Sequence, residues 1–262
     1  YGNKTGSDMD YLLDYPDVGF AGNIYDANTC RTYSLNTLPL EYGTAGVGDY
    51  RVPAVSITHM DGSNALDLRY VDYRITKGKY AIPGLPAVYA EEAEAETLEI
   101  ILKDTATDIY VILKYGILEE YDVITRSVVI ENRGEQAVTL QRVHSLCLDF
   151  PYGDWEWIHF HGRHAMERQL DRQEVFHGIQ ESSSMRGMSS HQQNPAILLC
   201  EKTCTETDGF CIGAVFMYSG SFQTQVEKDQ LNQTRIVMGI HPDTFSWRLE
   251  GQDSFYTPEV IL

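Results

Sequence analysis

Three histidines fall close together in the chain, His159 and His161 two apart and His164 three later. On a strand, residues two apart share a face, and three imidazoles could hold zinc. Cys200, Cys204 and Cys211 lack the close pairing of a structural zinc site, and no glutamate base is suitably spaced. Clustered imidazoles more often line a polar surface or an interface, so neither a metal nor any other cofactor is expected. Serine, histidine and aspartate are all present, but no Gly-x-Ser-x-Gly elbow occurs, which argues against a hydrolase triad. Glycoside hydrolysis needs two carboxylates at a fixed separation on a rigid frame. The 38 Asp plus Glu residues identify no such pair by abundance alone. The aromatics are more suggestive: 17 Tyr and three Trp, with Trp155-Glu156-Trp157 following Pro151-Tyr152-Gly153-Asp154. Such rings offer flat apolar faces with a polar handle, suited to stacking on sugars, although for any single ring a place in the sandwich core or a subunit contact is the better reading.

The formal net charge of −18 repels nucleic acid phosphates and anionic lipid surfaces, leaving neutral sugars, cations and proteins as partners. No apolar run approaches the ~18–20 residues of a membrane span, and no basic-then-apolar leader opens the chain. The first residue is Tyr1 rather than Met, as in a processed or excised segment. Five scattered cysteines, an odd number, favour reduced thiols and a cytoplasmic location.

Strand patterning supplies the frame for these residues. Leu98, Ile100 and Leu102 alternate with Thr97, Glu99, Ile101 and Lys103, and Ile109 to Tyr115 returns after a polar turn. Val123 to Glu131 leads into Asn132-Arg133-Gly134-Glu135, and Val138 to Phe150 comes back. Phe210 to Tyr218, Phe222 to Lys228 and Thr234 to Ile240 repeat the pattern, as do Val52 to His59 and Ala65 to Ile75 nearer the start. With no long amphipathic helix, this predicts an all-β sandwich. Glu91 to Glu96 reads as a solvated acidic loop, since like charges at i,i+4 oppose a helix. Residues 1–28 read as an extended arm of the same domain, which occupies 29–262. Arg163 to Pro195 is poor in strand pattern, and a long irregular segment in a compact domain is more often functional than decorative.

Several strings carry more than periodicity. Arg31-Thr32-Tyr33-Ser34-Leu35-Asn36-Thr37-Leu38-Pro39-Leu40-Glu41-Tyr42, followed by Gly48-Asp49-Tyr50-Arg51, resembles a segment of glycoside hydrolase family 36. Further matches follow in order: Ile75-Thr76-Lys77-Gly78-Lys79, Tyr121 to Ser127, Arg186-Gly187-Met188-Ser189-Ser190-His191-Gln192-Gln193-Asn194-Pro195, and Phe255-Tyr256-Thr257-Pro258-Glu259-Val260. The likeness runs from about Asp17 onward. It implies a β-supersandwich, galactose mutarotase-like in architecture, of the kind that precedes a (β/α)8 barrel in bacterial α-galactosidases. There the barrel supplies the nucleophile and the acid/base for retaining hydrolysis, so this chain is expected to hold no catalytic residue and to be inactive alone.

The resemblance also implies roles. In tetrameric members the module pairs subunits and lends substrate contacts to an active site. Carried over by motif, the substrate-binding positions are Asp17, Arg31 and His164, the last standing where the family has a tryptophan. That departure bears on substrate preference more than on reaction type. The expected partners are α-galactosides of the melibiose or raffinose type, the protein's own barrel and other subunits of a homotetramer, with no nucleic acid and no membrane. Two rivals use the same fold: a stand-alone carbohydrate-binding module with Trp155 and Trp157 as platform, and a mutarotase-like epimerase.

Overall fold

The computed structural model describes residues 34–262; the expected arm at 1–28, with Asp17, and also Arg31 lie outside the described residues. Two sheets pack face to face. The smaller runs in the order β1 (Val55–Thr58), β6 (Val138–Phe150), β13 (Thr234–Ile240) and β12 (Phe222–Lys228), with β14 (Trp247–Leu249) added on β6. The larger begins with β2 (Leu68–Lys77), β3 (Glu96–Asp104), β4 (Ile109–Leu118) and β5 (Val123–Asn132). It continues through β16 (Val260–Ile261), β11 (Cys211–Phe216) and β10 (Gln193–Glu201) to β7 (Trp155–Arg163) and β8 (Met166–Glu174), with β15 (Asp253–Tyr256) on β5. β9 (Gly178–Ser184) lies along β12, where Glu181 accepts hydrogen bonds from Gln223 and Gln225. The expected all-β sandwich is present, with no helix among the described residues beyond single 3-10 turns.

The core divides in two, and β6 belongs to both halves. Leu140, Val143 and Cys147 pack with β1, β4 and β5, while Leu146 and Leu148 pack with Trp157, Ile197, Phe216 and Phe222. Both faces are buried from Val143 to Leu148, which places the polar His144 and Ser145 in the interior together with the apolar run Leu146-Cys147-Leu148. Each fully buried large side chain contributes about 1.5–3 kcal/mol.

A buried ion quartet joins β6 and β13 of the smaller sheet to the segment that precedes β1. Arg235 Nε and Nη2 reach Asp149 Oδ1 and Oδ2 at 2.6 and 2.7 Å, and its Nη1 reaches Asp49 Oδ2 at 2.7 Å. Arg51 bridges the same two carboxylates at 2.8 and 3.2 Å. It also donates to the carbonyls of Leu35 and Leu38, and the Leu40 amide donates to Asp149. The motif residues Asp49 and Arg51 thus clamp the segment at 34–40 onto the sandwich. Burial opposes the Arg235 charge, but the bonds to Asp149 and the charges of both aspartates hold the guanidinium above its ordinary pKa. Gly43 lets the backbone approach: a Cβ there would lie 2.5 Å from Arg235 Nη1. A second buried pair, Lys79 with Glu259, ties the string at 75–79 to the one at 255–260, and Glu259 also accepts from the Val88 amide at 2.6 Å.

Two sequence expectations need correction. Residues 163–195 contain β8, β9 and the start of β10 rather than an irregular segment. β8 is exposed along nearly its whole length, so burial imposes no alternation on Met166-Glu167-Arg168-Gln169-Leu170-Asp171-Arg172-Gln173-Glu174. Within the acidic loop, Glu92–Glu94 form one 3-10 turn closed by a capping box between Glu91 and Glu94.

Candidate functional site

His164 stands at the tip of the β7–β8 hairpin. Arg163 pairs with Met166, so His164 and Ala165 alone make the turn. Ala165 adopts φ 62°, a left-handed conformation that a Cβ opposes by about 1–2 kcal/mol. Its amide donates to Glu167 Oε1 at 2.8 Å, which holds the turn. The register shifts between His161 and Arg163, and Gly162 makes this bulge possible, since a Cβ there would lie 2.4 Å from the Met166 carbonyl oxygen. Bulges bend the strand and raise its twist, which re-aims whatever lies beyond them. His164 itself is exposed and makes no hydrogen bond or ion pair with the other described residues.

One face of β7 carries an aromatic row leading to that tip. The Trp157 ring stacks on His159 with centroids 4.5 Å apart and planes at 28°, and His161 lies 6.5 Å beyond. His161 Nε2 is 3.1 Å from Asp171 Oδ2 on β8. Burial pushes the His159 imidazole below its usual pKa, with Asp171 pulling up and His161 pulling down, so the ring is neutral at neutral pH. His159 Nδ1 and Trp157 Nε1 are buried without partners. Among the described residues, no three His, Cys, Asp or Glu side chains are grouped to hold a metal ion.

Next to the row, Gln193 of β10 pairs with His161 and accepts from Ser182 Oγ at 3.0 Å. A polar cleft of about 390 Å³ opens here, lined by Ser183, Ser184, Arg186, Ser190, Gln192 and Gln193. Ser184 Oγ donates to the Met188 carbonyl, and the Gly187 amide donates to Ser221 Oγ, so the loop is pinned at both ends. Gln192 Oε1 is buried with no partner. Hydroxyls, amides and one guanidinium suit a neutral polyhydroxylated ligand, in which each hydroxyl offers one donor and two acceptor lone pairs. Met185 borders this cleft and also an apolar hollow of about 480 Å³ that includes Tyr218, Phe245, Trp247 and Phe255.

The structure brings His159, His161 and the cleft together, and places His164 beyond them at the hairpin tip. Trp155 and Trp157 are not a stacking platform. Both lie in the core, only 8% and 2% exposed. Sequence reasoning missed the cleft residues as a site, although Arg186 to Gln193 belong to one of the matching strings.

Comparison with known proteins matches residues 5–250 to the model of the "Glycosyl hydrolase family 36 N-terminal domain". The bifunctional α-galactosidase/sucrose kinase AgaSK of Mediterraneibacter gnavus is 50% identical over 262 residues, which is all of this chain and 28% of the relative. α-Galactosidase AgaA of Geobacillus stearothermophilus is 46% identical over 263 residues, covering all of this chain and 36% of the relative. The solved galactosidase domain of AgaSK superposes with a TM-score of 0.95 at 50% identity, over 100% of this chain and 36% of that one. A variant of AgaA solved in complex with raffinose superposes with a TM-score of 0.94 at 43% identity, over 100% and 36%. The chain thus spans about a third of the length of these relatives.

Proposed function

Because the chain belongs to the glycosyl hydrolase family 36 N-terminal domain family, we propose that it is the amino-terminal module of a retaining α-galactosidase acting on melibiose- or raffinose-type sugars. The observation that carries this reading is the ordered match over the whole chain to α-galactosidases that are about three times as long. In this reading the bond-breaking carboxylates lie outside the chain, and the module shapes and assembles an active site.

The β7–β8 hairpin supports such a role. It is braced at its base by Arg172 with Glu156 and by Lys202 with Glu174, and it presents His164 without a local partner. A stiff arm with an unengaged polar tip is suited to contact substrate held by another part of the assembly. Asp17 and Arg31 are proposed as further substrate contacts on the strength of the motif. A homotetramer and a cytoplasmic location belong to the same proposal, the latter motivated by the free cysteines.

The test is to assay residues 1–262 alone and the full-length protein on an aryl α-galactoside. The full-length protein should turn it over and the isolated chain should not. Turnover by the isolated chain at a rate near that of the full-length protein would overturn the proposal. Tight, micromolar glycan binding by the isolated chain would favour a stand-alone binding module instead.

A further inference from the structure

Cys200 is the penultimate residue of β10 and Cys211 opens β11, and the two are direct cross-strand partners. The next pair outward carries the hydrogen bond, from the Glu201 amide to the Phe210 carbonyl at 3.1 Å. Hydrogen-bonded and non-hydrogen-bonded pairs alternate along an antiparallel ladder, so Cys200 and Cys211 occupy a non-hydrogen-bonded position. There the Cα atoms approach to about 4.5 Å, inside the ~4.4–6.8 Å window that a disulfide requires. The sulfurs are already in contact, with Sγ atoms 2.8 Å apart, yet both thiols are free. Cys211 is exposed, whereas Cys200 is 2% exposed and packs against Cys204 and Ile158.

The surroundings make this pair more than two neighbouring thiols. The loop between them supplies the carbonyls of Glu201, Lys202 and Cys204 to the Arg172 guanidinium, at 3.4, 3.4 and 2.9 Å. Arg172 sits on β8, so the loop that the thiols would close also braces the hairpin that carries His164. Burial and the Cys211 sulfur push the Cys200 thiol up to about 11, which leaves the exposed partner as the entry point for an oxidant.

We infer that Cys200 and Cys211 form a reversible intrachain disulfide, a modification site that takes low-molecular-weight disulfides as its oxidant. The Cys211 thiolate attacks one sulfur of the small disulfide, forming a mixed disulfide and releasing one small thiolate. Cys200 then gives up its proton and attacks Cys211 Sγ, which breaks the mixed disulfide and releases the second small thiolate. The two protons lost by the protein end on the two released thiols. Two protein thiols are oxidised to one disulfide and one small disulfide is reduced. Exposed disulfides of this kind sit at the labile end of the range and are reversible by a thiol pool.

The test uses the whole protein in a series of reduced and oxidised glutathione mixtures, quenched with acid, alkylated under denaturing conditions and mapped as peptides. In oxidised glutathione at least half of the chains should carry a peptide joining Cys200 to Cys211, and excess reduced glutathione should remove it. Cys204→Ser should keep that cross-link and Cys211→Ser should show no cross-link at Cys200. The Cys211 position is exposed, so Cys211→Ser leaves the core intact. Absence of the joined peptide, a stable glutathione adduct in its place, or linkage through Cys204 or between chains would each overturn the assignment.

Discussion

Replacing Arg235 by methionine probes whether the buried quartet holds the sandwich together. The wild-type cluster is balanced, two guanidinium groups against Asp49 and Asp149, and Arg235 and the two aspartate side chains are 1%, 0% and 4% exposed. Arg235→Met removes the bidentate bonds to Asp149, the bond to Asp49 and a 3.2 Å bond to the Val52 carbonyl. Arg51 then faces both carboxylates alone, leaving one buried negative charge uncompensated. Breaking a buried pair in this way costs about 3–5 kcal/mol. For a chain of this size that corresponds to a fall in Tm of roughly 6–20 °C. Urea unfolding and calorimetry should be run beside Arg248→Ala, which breaks a pair with Glu250 whose side chains are 65% and 60% exposed. That control should move stability by no more than about 0.5 kcal/mol. If Arg235→Met cost no more than the control, the quartet would not be what anchors residues 34–40.

Three further outcomes follow from individual residues. His144 on β6 is fully buried with neither ring nitrogen bonded, and burial, with the Arg142 and His241 charges, pushes its pKa well below 6.5. The unfolded chain alone takes up this proton below pH 6.5, so wild-type stability should fall by about 1.4 kcal/mol per pH unit more steeply than that of His144→Leu; parallel curves from urea titrations would refute it. At the hairpin, His164→Trp should change the KM of the full-length protein for α-galactosides with Tm unmoved. Gly162→Ala, which forces a Cβ against the Met166 carbonyl, should instead cost about 1–3 kcal/mol, and kinetics insensitive to both changes would place the tip away from the sugar.

How much was legible in advance varied by element. β6, β12 and β13 begin and end where the apolar patterning placed them, because each has a face in the core and turn residues at its ends. β8 left no such trace, since a strand exposed along its length needs no alternation. The Trp155-Glu156-Trp157 string left two uses open: Trp155 and Trp157 point into the core, as the reading favoured for any single ring has it, and composition cannot say which face of a strand is buried.

By itself the sequence determined the all-β class and the family, because local periodicity and contiguous motif strings survive without knowledge of contacts. Only the tertiary structure decided which polar residues meet. Asp49 and Asp149, Lys79 and Glu259, and Gln193 and His161 are far apart in the chain and become neighbours through strand order. The cysteines show the same physics most directly. Scattered along the sequence they read as isolated thiols, and the antiparallel register of β10 and β11 sets two of them side by side.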